Sequence, residues 1–213
     1  MTREHPTRPY RMQRRAEHQA NTRQRITESA VELHGTLGPA RTSLSAVAAH
    51  AGVRRSTLYR HFPDESALFD ACTAHWTATN PPPDLAAWAK ISDPHERLRS
   101  ALRDLHAYYG RTERMLDNLF RDESIVPLVA ERFAAFRGYL AAAQGALLAG
   151  RDVLGPDIPR ARGAVGHAIA FSTWKSLVRE HGVSDGDAVI LLCALVEAAS
   201  SQTARPNARR KRD

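Results

Sequence analysis

Apolar side chains recur along this chain at steps of three and four, and no stretch reads as a pair of strands. The spacing predicts a first helix from Asn21 or Thr22, with Ile26, Ala30, Leu33 and Leu37 on one face and Gly38 and Pro39 as its stop. Thr42 or Ser43 can cap a second helix, which lines up Leu44, Val47 and Ala48 before Gly52. A third starts near Arg54 and turns Leu58 and Phe62 inward. A fourth opens at Pro63 and Asp64, carries Leu68, Phe69, Cys72 and Trp76, and ends at Pro81, Pro82 and Pro83.

Beyond the prolines, Asp93 reads as an N-cap with Pro94 at the first helical position and Glu96 closing a capping box. That helix holds Leu98, Leu102, Leu105 and Tyr109, an irregular patch follows at Gly110, and a shorter helix is expected from Glu113 to Arg121. Pro127 opens a long helix through Phe133, Phe136, Leu140 and Leu147 to Gly150. Gly155, Pro156 and Pro159 make a loop, and two last helices, Ala161 to His181 and Ser184 to about Thr203, are expected to pack as a hairpin. The fold class is all-α.

The segment from Thr42 to Phe62 carries the most information. Glycine at position 52 can take the left-handed conformation that ends a helix sharply, and the small Ala48 lets the next helix cross close by, which is the geometry of a helix-turn-helix. Ser56, Thr57 and Arg60 then face outward, with Tyr59 and His61 on the flanks and Arg54 and Arg55 at the leading end. Arginine can bond both acceptors of a guanine edge in the major groove, while Thr, Tyr and His suit phosphates and sugar edges. Double-stranded DNA is the partner this face implies.

With its Gly-Val turn, Thr-Leu-Tyr core, His-Phe pair and following Ala-Leu, AVAAHAGVRRSTLYRHFPDESALF resembles the DNA-binding signature of TetR-type transcriptional regulators. The resemblance covers about a quarter of the chain. It implies DNA contacts at Ser43 and Ser45 on the first helix of the motif and at Arg54, Arg55, Thr57, Tyr59, Arg60 and His61 on the second. Glu65 departs from the pattern: the family commonly has a phosphate-binding lysine there, and a carboxylate repels the backbone, so that contact is not carried over.

The formal net charge of +7 is unevenly spread. Residues 1–62 hold 11 basic and 4 acidic side chains, residues 63–203 hold 14 and 18, and residues 204–213 hold 5 and 1. Positive charge therefore belongs to the helix-turn-helix and the two ends. The organisation expected is a basic flexible arm at 1–21, a DNA-binding domain at 22–69 with a linking helix at about 64–79, a helical body at 80–203 and a basic tail at 204–213. The arm is expected to be unstructured when free, acting either as a solubilising tail or as a grip on DNA. The longest apolar stretch, Ala188 to Val196, is far short of the ~20 residues that span a bilayer, and a cytoplasmic protein is expected. Cys72 and Cys193 sit in apolar helical patterns and are expected to be buried thiols.

Around Ala188 to Ala199 (AVILLCALVEAA) hydrophobes occupy most of the helix circumference, so this helix needs partners on more than one side. Pairing with a second copy supplies one, and Val189, Leu192, Val196 and Ala199 are the candidate dimer seam. The resemblance implies the same, since TetR-like proteins usually dimerise through their last two long helices. It also implies a cavity in the body for a small apolar or amphipathic ligand. Candidate ligand contacts are His106, Tyr109, Met115, Phe120, Phe136, His167, Phe171 and Trp174, although such a stripe also describes an ordinary core.

Enzyme signatures are missing: there is no Gly-rich phosphate loop, no Gly-x-Ser-x-Gly elbow, no Cys-x-x-Cys or His-Glu-x-x-His spacing, and no two histidines lie three or four apart. No catalytic residue, metal site or cofactor is expected. The reading is a homodimeric DNA-binding regulator, most simply a repressor released from an inverted-repeat operator by a ligand. A non-specific or architectural DNA binder, and a helical enzyme or carrier with an incidental helix-turn-helix, stand as alternatives.

Overall fold

The computed structural model describes residues 8–151, 153 and 155–200. Their regular elements are all helical, with no strand among them. In order they form α1 (Arg8–Thr36), α2 (Leu44–His50), α3 (Arg55–His61), α4 (Glu65–Thr79), α5 (Leu85–Ala89), α6 (Pro94–Asp122), α7 (Pro127–Leu148), α8 (Ile158–Ala168), α9 (Phe171–Lys175) and α10 (Asp185–Ser200). Two compact units result: one holds residues up to Pro81 together with Thr112–Ala134, the other Pro82–Arg111 with residues from Ala135 onward. The second half of α6 and the start of α7 thus join the unit that carries α1 to α4.

The core of the first unit is Ile26, Ala30, Val47, Ala48, Leu58, Phe62, Leu68 and Cys72, the inward positions that the periodicity picked out on α1 to α4. Fully burying Leu58 and Phe62 stabilises the unit by about 1.5–3 kcal/mol each. The Cys72 thiol, buried against the Thr27 carbonyl, has its pKa raised to about 12 by desolvation. Arg132 on α7 bonds Asp70 (2.7 Å) and Ser66 (2.8 Å) on α4.

A polar cluster fastens the end of α6 to the turn after α1. Asn118 Nδ2 donates to the carbonyls of His34 and Gly35, both at 2.9 Å. Asp122, almost wholly buried, accepts the Ala40 N–H (3.0 Å) and pairs with Arg121, whose Nη2 also reaches the Leu37 carbonyl (3.1 Å). Burial opposes ionisation of Asp122, but the Arg121 and Ala40 bonds outweigh it and its pKa lies below the ordinary value. Gly38 (φ +93°) lies against this pair.

His34 is buried beside Phe69, ring centroids 5.0 Å apart, and desolvation lowers its pKa to about 4 although Asp122 pulls the other way. Between pH 6.5 and about 4 the unfolded chain binds a proton that the folded chain refuses. Stability is therefore expected to fall by about 2–3 kcal/mol as pH drops through that window. Urea unfolding at pH 7 and pH 4.5 checks this, and His34→Gln should flatten the difference by the same amount.

In the second unit, Leu98, Leu102, Leu105 and Tyr109 of α6 face inward as expected. Arg97, also buried, donates to the carbonyls of Ile91, Ser92, Ala146 and Ala149, so its guanidinium satisfies the free carbonyls at the end of α7. Three local expectations are corrected. Helix α1 begins at Arg8, so residues 8–21 are helical rather than unstructured. The helix of Asp93 does not break at Gly110 but continues to Asp122, because packing outweighs the ~1 kcal/mol helix penalty of one glycine. The helix expected from Ala161 to His181 is interrupted at Ile169 and Ala170, passes into α9, and continues as a π-helical turn over Ser176–Glu180. The interruption leaves the Ile169 carbonyl free to accept the Tyr109 hydroxyl, which anchors it. The short α5, capped by Asp84 through the Ala86 N–H (2.9 Å), was not anticipated. The expected end of the last helix near Thr203 and the basic tail lie outside the described residues.

Candidate nucleic-acid interface

The turn between α2 and α3 follows from its residues. Ser43 caps α2 by accepting the Ala46 N–H (3.2 Å), and Ala51 closes it. Gly52 sits at φ +62°, in the left-handed region, and the Val53 N–H returns to the Ala48 carbonyl (2.9 Å), so the chain reverses within two residues. Leu58 and Phe62 are then held in the core, which fixes the rotation of α3 about its own axis. That rotation exposes Arg54, Arg55, Ser56, Tyr59 and Arg60 and leaves Thr57 and His61 half-buried.

All eight residues expected to contact DNA lie in the first unit, Ser43 as the cap before α2 and the other seven on α2, on α3 or at the turn between them. Ser45 is exposed, while the Ser43 hydroxyl is engaged as the cap. Arg55 Nη2 donates to the Tyr59 hydroxyl (3.1 Å) and its guanidinium lies 5.5 Å from that ring, so two long side chains one turn apart hold each other in place. Sequence reasoning missed Arg23 of α1. Its guanidinium stands 4.1 Å over the Phe62 ring and its Nη1 donates to the His61 carbonyl (2.6 Å), fastening the last turn of α3. Burial, then Arg60 and Arg23, lower the pKa of His61, which favours the neutral imidazole with one donor and one acceptor nitrogen. At the start of α4, Asp64 caps through the Ala67 N–H (2.8 Å) with Glu65 beside it, exposed. Two carboxylates complement that helix end and repel a phosphate.

The residues expected to meet a ligand are not gathered in one place. Met115 and Phe120 fall in the first unit: a Cβ built on Gly35 of α1 would meet the Met115 Cε at 3.5 Å, and Phe120 packs edge-on against Phe133, centroids 4.8 Å apart. The other six lie in the second unit. There Tyr109, Phe171 and Trp174 form a buried aromatic cluster with centroids 5.4–5.9 Å apart, while Phe136 lies beside Tyr108. His106 is buried 3.3 Å from Asp185, which also accepts the Trp174 indole N–H (3.0 Å). Desolvation lowers the His106 pKa against the pull of Asp185. His167 is exposed and lines an apolar groove of about 670 Å³ with Thr173, Leu177, Leu191 and Leu195.

The proposed seam requires a correction. Val189, Leu192, Val196 and Ala199 are 0–8% exposed and face the interior of their own unit, where α10 packs on α8 and Arg160 reaches the Ala199 carbonyl (2.8 Å). The opposite face carries Ile190, Leu191 and Leu195, exposed by 67, 53 and 42%. Both faces of this helix are apolar, so spacing alone could not tell which points inward. Among the described residues no group of His, Cys, Asp and Glu could hold a metal ion, and no helix is long and apolar enough to cross a membrane.

Residues 26–72 match the family model described as bacterial regulatory proteins, tetR family. No curated protein matches the sequence. Similar solved structures include a TetR-like transcriptional regulator from Rhodococcus sp. RHA1, 21% identical, covering 83% of this chain and 93% of its own, with a TM-score of 0.62. A proposed fatty acid metabolism regulator of Clostridium perfringens is 13% identical over 84% of this chain and 100% of its own, TM-score 0.61. A TetR family transcription regulator from Marinobacter aquaeolei VT8 is 19% identical over 87% and 97%, TM-score 0.54.

Proposed function

We propose that this chain, whose residues 26–72 are a TetR-type DNA-binding domain and whose fold is that of TetR-type regulators, is a homodimeric transcriptional repressor. One observation carries the proposal: a core fixed by Leu58 and Phe62 turns a continuous row of donors, from Arg54 to His61, outward on one short helix. A second copy places another such helix in the next major groove, about 34–36 Å away, and the operator is then an inverted repeat. The pairing surface is the exposed α10 row of Ile190, Leu191 and Leu195, apolar area that a soluble protomer does not otherwise leave open.

A small apolar or amphipathic molecule held by the second unit favours a conformation in which the two recognition helices no longer match the groove spacing. Helices α6 and α7 each run from one unit into the other, a covalent route for such a change. Such a protein works in the cytoplasm.

Arg55 is the residue for base readout, being exposed, leading α3 and steadied by Tyr59. Arg55→Ala is expected to weaken operator binding by about 1–3 kcal/mol and to relax preference at one fixed position of each half-site. Selection of bound duplexes with the variant checks this; an unchanged preference would remove Arg55 from the readout.

A further inference from the structure

A polar notch of about 340 Å³ opens between α1 and the edge of the donor row on α3. Arg25 enters it from α1 and Arg54 and Arg60 from the α3 side, with Gln19, Thr57 and His61 between them. Among the described residues none of the three guanidinium groups has a hydrogen bond or ion pair. The carboxylates nearby on α1 are already engaged, Glu17 by Gln13 (3.1 Å) and Glu28 by Gln24 (2.8 Å). Three guanidinium groups around one cleft repel one another, and an anion seated there cancels that cost.

The α1 side of the notch is part of a longer stripe. Arg14, His18, Thr22 and Arg25 recur at i, i+4, i+8 and i+11, so the exposed Arg14 and Arg25 share one face of α1, with the exposed His18 and the buried Thr22 between them. An isolated anion would need only the notch, whereas a run of anions at regular spacing uses the stripe as well. A nucleic-acid backbone is such a run.

We infer that the α1–α3 notch seats one phosphate of duplex DNA through Arg25, Arg54 and Arg60, and that Arg14, three turns of α1 away at about 16 Å, takes a different phosphate. This rests on the DNA-binding reading above and adds a contact line on α1 that the helix-turn-helix itself does not contain. Both α1 arginines are exposed, so truncating them leaves the fold intact.

The experiment measures binding of the full chain to its selected duplex over a salt series, with ethylation of single phosphates as a second readout. Arg25→Ala is expected to make the slope of log K against log salt shallower by about one unit per bound protomer, with base preference unchanged. Ethylation at one phosphate per half-site is expected to hinder the wild type and not the variant. Arg14→Ala should act the same way at a second phosphate. A wild type that binds its duplex while Arg25→Ala shows the same slope and the same interference overturns this inference alone. A wild type that binds no duplex overturns the DNA-binding reading along with it.

Discussion

Leu191→Arg is expected to yield a folded protomer that no longer pairs and to weaken operator binding by a hundredfold or more. Leu191 is 53% exposed in the protomer, so an arginine there costs the isolated fold little. In a two-fold interface the same change puts two like charges into an apolar seam, at a cost of several kcal/mol. Losing the pair also loses the effective concentration that joins the two heads, a factor of about 10²–10⁴. Sedimentation and titration of a labelled operator read both effects. A variant that stays dimeric with undiminished affinity would place the interface elsewhere. Leu192→Arg cannot make this distinction, because Leu192 is buried within its own unit and the charge would disrupt the protomer itself.

Gly38→Ala is expected to destabilise the first unit by about 3 kcal/mol or more. The left-handed backbone at φ +93° alone costs an L-residue about 1–3 kcal/mol. A Cβ at this position would also stand 2.0 Å from Arg121 Nη2 and 2.5 Å from Asp122 Oδ2. Arg121 can swing outward, but Asp122 is short and buried, and moving it strips a carboxylate of its Ala40 N–H and its arginine, a further loss of about 1–3 kcal/mol. Thermal unfolding should register a fall of about 10 °C or more. A variant as stable as the parent would mean that the Arg121–Asp122 pair contributes nothing to holding α6 on the turn. Asp122→Asn in the Gly38→Ala background separates the contributions, since the second substitution should add little once the carboxylate is already displaced.

Much of the interface was legible because its determinants are local. A capping serine, a glycine that must turn left-handed, and two large hydrophobes one turn apart specify α2, the turn and α3 without reference to the rest of the chain. What escaped depends on contacts between distant segments. Arg23 clamps α3 through the His61 carbonyl, 38 positions away, and nothing in its neighbours in sequence marks it. The continuity of α6 through Gly110 and the break at Ile169 are both settled by packing of Tyr109, Phe171 and Trp174, which overrides local propensity.

The stripe Arg14, His18, Thr22 and Arg25 was present in the sequence at helical spacing. Prolines and dense charge near the start mask it, because both favour an unstructured arm when considered locally. For α10, a helix apolar on all sides carries two equivalent stripes, and only the position of α8 decides which of them is core. Residue type alone does not distinguish Met115 against α1 from Trp174 in the aromatic cluster.

The central claim is that a donor-lined α3, paired by symmetry, reads a specific operator. The most direct measurement is selection of bound duplexes from a fully random library by the intact chain at physiological salt. The account predicts enrichment of one inverted repeat whose half-site centres lie about one helical turn apart, with affinity at least about a thousandfold above that for random duplex. A library that emerges unenriched, or bound only in proportion to low salt, would contradict it.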